Sequence, residues 1–259
     1  MGLEETQRTA PIEANAASES SEKSLEPSPE ERAALEDRDH IITVGGISNR
    51  LDSTLQGLKK EYEVRGRLGL EVSGEHTDAA EERKTVFAAM DELRQVYADS
   101  TENPGAHERI VNLQRHIAES TPADLRANEE FVLSALEKGM PLDIIGDDTL
   151  SRDPAMAILA IARSEQMKKE GHEKLLQAHE ITDPATRKAM ESEGHRLNLL
   201  GMENLDSARD LAQNIAMSRY PAGSTEREYF NDTYSRASEG DYRYSVGADR
   251  LQEFRSQLR

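Results

Sequence analysis

Apolar residues along most of the chain recur at three- and four-residue spacing, with polar residues filling the positions between, which is the signature of helices with one buried face. Asn49 is a helix-capping residue type, and behind it Leu51, Leu55, Leu58 and Tyr62 share one face. Ahead of it, Ile41-Ile42-Thr43-Val44 before Gly45-Gly46 reads either as one short strand or as an apolar entry to the fold. Val64, Leu68, Leu70 and Val72 alternate with polar or glycine positions, as a strand would. A lone strand has no ladder partner, so a helix that weakens at Gly66 and Gly69 is the preferred reading. Asp78 followed by Glu81 is a capping-box pattern opening a long helix to about residue 99, with Val86, Ala89 or Met90, Leu93, Val96 and Tyr97 on its stripe. These two helices are expected to pair antiparallel through the Ser73-Gly74-Glu75-His76 turn. Asn103-Pro104 starts a further helix, with Ile110, Leu113 and Ile117 as its buried face.

Residues 125–136 overlie residues 150–161 position for position. Leu125 falls on Leu150, Asn128 on Asp153, Phe131 on Met156, Leu133 on Ile158, Ala135 on Ala160 and Leu136 on Ile161. Each copy is an apolar residue, a polar pair, a capping Asn or Asp, then a helix. Pro154 takes the first helical position of the second copy, where its missing amide hydrogen costs nothing. Gly139 ends the first helix, and Leu142, Ile144 and Ile145 pack the connection. Asp183-Pro184 caps a third helix running toward Leu199 and Leu200, and another is expected over about 203–217, with Leu205, Ala208, Leu211, Ala212 and Ile215 buried. Beyond residue 219 the chain becomes rich in Tyr, Phe and Arg, with loops at 220–223 and 238–241 and a last helix carrying Leu251, Phe254 and Leu258.

The stretch over about residues 124–163 resembles a family of tandem helical repeats of unknown function, found in bacterial and protist proteins. Asp124-Leu125-Arg126-Ala127-Asn128 matches the Asp-Leu-Arg-x-Asp opening of its units of about 25 residues. Phe131, Val132, Ala135, Leu136 and Gly139 follow as its helix face and closing glycine. The second copy departs from the pattern at Ser151, Pro154 and Ala157. The resemblance implies a helical array that works by interaction, and no chemistry.

Composition narrows the picture. Hydrophobic residues make up 36% of the chain and charged ones 32%, with no tryptophan, so the core is lean. Residues 1–35 are rich in Glu, Ser, Ala and Pro and hold few large apolar side chains, which predicts a disordered tail leading into a short helix near Pro29. A net charge of −18 repels phosphate backbones and anionic lipid, arguing against nucleic acid or membrane as a partner. The longest apolar run, Ala155 to Ala162, is too short to span a bilayer, and no secretory signal is visible, so the cytoplasm is the expected compartment. Met1-Gly2-Leu3-Glu4-Glu5-Thr6 fits a loose myristoylation pattern, but its acidic flank and the lack of a second anchor argue against a membrane role. With no cysteine, thiolate metal sites and cysteine nucleophiles are excluded.

The remaining candidate chemistry is carried by histidines and aspartates. His172 and His179 lie seven residues apart on one helix, each followed by a glutamate (Glu173, Glu180), and His195 or Glu165, brought across from another helix, could supply a third ligand. A zinc-protease His-Glu-x-x-His motif is absent, and such His-Glu pairs ordinarily belong to a solvated face. Asp143, Asp147, Asp148 and Asp153 lack the alternate spacing of a calcium loop. Neither a phosphate loop, a Gly-x-Ser-x-Gly elbow nor a dinucleotide fingerprint occurs. The C-terminal tyrosines and arginines suit either a packed last helix or a protein contact.

The sequence therefore predicts an all-α protein, an irregular helical bundle or helical-hairpin array. Its expected parts are an acidic tail at 1–40, a helical hairpin region at 41–120, a repeat-like region at 121–218 and a Tyr/Arg-rich segment at 219–259. No catalytic, cofactor or metal residues are assigned, and no cofactor is expected. The expected function is a non-enzymatic protein–protein interaction or scaffold role with an unidentified protein partner. The alternative is a metal-binding protein or enzyme using the His172/His179/His195 group.

Overall fold

A computed structural model describes residues 28–69, 78–99, 104–240 and 248–258, and every element among them is helical. The all-α expectation holds. The first helix, α1, spans Pro29–Leu68. It runs straight through the expected start at Asn49, and Ile41-Ile42-Thr43-Val44 is helix rather than strand. The reason is a continuous inward stripe at His40, Val44, Ile47, Leu51 and Leu55, in which Ile47 and Leu51 are each only 2% exposed. Gly45 and Gly46 cost the helix about 0.5–1 kcal/mol each, less than the burial on either side returns. Residues 29–40, assigned to the tail with a short helix expected from near Pro29, are the first turns of α1, which does start at Pro29. The preferred helix over 64–72 is present as far as Leu68, where Gly69 at φ +66° ends it; residues 70–72 lie outside the described residues.

The next two helices, α2 (Asp78–Asp99) and α3 (Pro104–Ser120), complete a three-helix bundle with α1. Val86, Met90, Leu93, Ile110, Leu113 and Ile117 supply its core together with Ile47 and Leu51. Polar contacts set the helix register. An Arg50–Glu92 ion pair joins α1 to α2, which run antiparallel. From α3, Arg109 donates to Asp37 at 2.5 Å and to His40 Nδ1 at 3.0 Å, and His116 Nε2 lies 3.0 Å from Asp52.

Four short helices follow: α4 (Ala123–Arg126), α5 (Glu129–Glu137), α6 (Leu142–Ile145) and α7 (Asp148–Ser151). The two stretches that overlie in sequence share local geometry. Asn128 caps α5 by accepting from the Phe131 amide at 2.9 Å, and Asp153 caps the next long helix by accepting from the Ala155 amide at 2.9 Å. All five paired apolar positions are buried. The copies diverge in length. Gly139, at φ +89°, turns the chain after α5, whereas Ser164 at the matching place continues its helix. Phe131 stacks on Phe87 of α2 at 5.1 Å, with Arg83 and Lys138 over the Phe87 ring, fastening this region to the bundle.

The dominant element is an antiparallel hairpin of α8 (Pro154–Ala178) and α9 (Pro184–Arg219). The two helices expected over 184–200 and 203–217 are one helix of 36 residues, roughly 54 Å long. Gly201, at the expected break, is instead a packing residue. A Cβ there would sit 2.7 Å from the Ser164 carbonyl oxygen and 2.8 Å from the Lys168 amide nitrogen. Farther out, a Cβ on Gly171 would come within 2.6 Å of backbone atoms at Gly194 and Asn198. The helix backbones touch, so nothing larger than hydrogen fits between them.

Two C-terminal helices close the fold against this hairpin: α10 (Thr225–Ser238) and α11 (Ala248–Gln257). Phe230, Leu251, Phe254 and Leu258 are buried, and the Tyr220 hydroxyl donates to the Leu258 carbonyl at 3.3 Å. Of the two readings of this aromatic segment, packing accounts for these residues; Tyr242 and Tyr244 lie outside the described residues.

Candidate functional site

His172, His179 and His195 are all exposed. Among the described residues no three His, Asp or Glu side chains come together as a metal-holding group. His40 and His116, by contrast, are half-buried and engaged between α1 and α3. The inter-repeat aspartates each have a structural partner or an open setting. Asp143 accepts from the Ser207 hydroxyl at 2.6 Å, Asp153 caps α8, and Asp147 caps α7 through the Thr149 and Leu150 amides. Asp148 is exposed.

The three histidines share one region, the outer end of the α8–α9 hairpin. Between His172 and Glu193 the only buried residue is Ala178. A helix pair this poorly buried has little hydrophobic burial to hold it, yet Gly171 and Gly194 bring its backbones into contact at the base. Asp183 caps α9 at the tip, accepting from the Thr186 hydroxyl and amide, and these two hydrogen bonds lower its pKa. Leu176, 57% exposed, is the largest apolar surface on the arm. Leu175 and Ala178 face inward, whereas Leu176 does not.

Where the arm leaves the body, α2 and α9 form a polar cleft of about 200 Å³ lined by Asp91, Arg94, Gln95, Glu193 and Arg196. Arg196 is 2% exposed. Burying a guanidinium costs several kcal/mol unless it is paired. Glu193, one turn earlier, offsets this by accepting from both Nε and Nη2, while Nη1 is buried and unpartnered. Arg94 faces the same cleft and makes no hydrogen bond to the described residues. Burial lowers its pKa first, and the like charge of Arg196 lowers it further, against partial opposition from Glu193 and Asp91. The carboxylates here are already engaged: Asp91 with Lys138 at 2.5 Å, and Glu193 with Arg196.

A second concavity of about 290 Å³ lies between the start of α8 and α11, lined by Thr149, Asp153, Arg219, Arg255 and Leu258 among others. Of its two arginines, Arg255 is spoken for. Arg255 donates to Asp153 and Glu129, and although burial works against its charge, these hydrogen bonds outweigh that and raise its pKa.

Sequence reading passed over both features of the arm. Small residues recur every seven positions on both helices, at Ala157, Ser164, Gly171 and Ala178 on α8 and at Gly194, Gly201 and Ala208 on α9. That periodicity was available and marks a close helix pair. Arg94 and Arg196 carry no such local signal, since only tertiary packing brings them together. No protein-family profile, curated protein or solved structure matches the chain.

Proposed function

We propose that this protein is a non-enzymatic interaction protein, in which the outer α8–α9 hairpin is the segment presented to a protein partner. The observation that carries the reading is the contrast within one element. The inner hairpin is the core of the molecule, whereas between His172 and Glu193 only Ala178 is buried. A chain that keeps such an arm rigid by glycine contact, with no other described element packed over it, holds surface ready for another molecule. The mixed charge of the arm and the exposed Leu176 suit a protein surface better than a phosphate backbone. Among the described residues no clustered metal-ligand set points to metal chemistry.

A photo-crosslinking residue placed at Leu176 in the full chain, in extracts of the cells that make it, tests the reading. An adduct of defined mass is expected, competed away by unmodified chain and absent when the same group replaces exposed Gln213 on the inner part of α9. Equal labelling from both positions, or no competable adduct, would count against the arm. Divalent metal is expected to leave the melting temperature unchanged. A metal-dependent rise abolished by His179→Ala would move the protein into the metal-binding class instead.

A further inference from the structure

We propose that the cleft between α2 and α9 is an oxyanion site, which takes a carboxylate or phosphate group on Arg94 and on Nη1 of Arg196. The inference stands on the cleft alone and does not depend on what the arm binds. Around Arg94 stand Arg196, Arg163, Glu193 and Asp91; Asp91 is bound by Lys138, and Arg163 lies 3.4 Å from Glu170. Around this point Arg94, Arg196 and Arg163 act against Glu193 and Asp91, one more cation than carboxylates, within a chain whose net charge is −18. Each of those carboxylates already faces a cation other than Arg94. Like charges brought together in a partly desolvated cleft repel, and an anion between them relieves that repulsion.

Geometry narrows the ligand class. A guanidinium presents its donors as a flat fork that matches the oxygen pairs of carboxylate and phosphate. Here the fork of Arg196 is used on one side by Glu193, and Nη1 remains, buried and unpartnered, with Arg94 lining the same space. At about 200 Å³ the cleft falls below the roughly 300–1,000 Å³ that enclose a drug-sized ligand. It therefore holds an anionic group, not a whole nucleotide or cofactor.

The test is a titration of the full chain labelled with 15N-arginine, following the side-chain Nε–Hε resonances at constant ionic strength. Sodium phosphate and sodium acetate are added in separate series, with sodium chloride as the reference. The Arg94 and Arg196 signals, assigned from Arg94→Gln and Arg196→Lys, are expected to move saturably with half-saturation in the millimolar range. Exposed Arg152 is expected not to move. Response to phosphate alone assigns a phosphate carrier, response to acetate alone a carboxylate carrier, and either supports the site. In Arg94→Gln, checked for unchanged helicity, the Arg196 response is expected to be lost. Absence of a saturable shift in the wild-type chain, or equal drift of all arginines with salt, would overturn the proposal, and this readout does not require the variants to fold.

Discussion

Single side chains set the energetics where the repeat-like stretches meet the C-terminus. Asn128 and Asp153 cap equivalent helix starts, but only Asp153 also receives Arg255, at 2.5 Å from Nη2, with its side chain 15% exposed. The same guanidinium reaches Glu129, the first residue of α5, at 2.8 Å. One arginine from α11 thereby ties together the N-termini of α5 and α8, where helix dipoles already favour the two carboxylates. Loss of the cap alone should make Asn128→Ala cost about 1 kcal/mol in urea unfolding. Asp153→Ala should cost about 2–4 kcal/mol, because it also removes a hydrogen bond between charged groups. In Arg255→Gln the excess cost of Asp153→Ala should shrink toward that of Asn128→Ala. Equal costs for the two caps in the wild-type background would contradict this account of Arg255.

Among the elements, α1 set against α8 and α9 shows how the same residue type works in opposite directions. Gly57 lies within α1 with nothing within 4 Å of where a Cβ would stand, so Gly57→Ala should stabilise by about 0.5–1 kcal/mol. At Gly171 and Gly201 an added methyl meets backbone, which has no rotamer to yield. Gly171→Ala and Gly201→Ala should therefore destabilise by about 1–3 kcal/mol despite the better helix propensity, as thermal melting would show. Much at this scale was legible. Capped starts at Asp153 and Asp183, the buried faces of α5 and α8, and the last helix with Leu251 and Phe254 all follow from spacing. The misreadings share one cause. Local pattern suggests a break before Gly45-Gly46 and again between residues 200 and 203, where the inward stripe of α1 and the backbone contact of α9 carry the helix through.

For the whole molecule, a three-helix bundle, a set of short capped helices and two C-terminal helices gather around the inner half of one hairpin, whose outer half leaves the core. No helix among the described residues is long and apolar enough to cross a membrane. Fold class could be read from the sequence because helical periodicity is local. The cleft could not, because Arg94 and Arg196 sit on helices far apart in the chain, and the three histidines looked like a site because they share a segment. The account turns on that segment being rigid without a hydrophobic core beneath it. Hydrogen exchange of the backbone amides over 172–178 and 188–193 measures this directly. Slow exchange is predicted there in the wild-type chain, and in Gly171→Ala it should become fast in these two stretches while residues 156–165 stay protected. Exchange at the unprotected rate in the wild-type arm would contradict the claim that a rigid hairpin is held out for a partner.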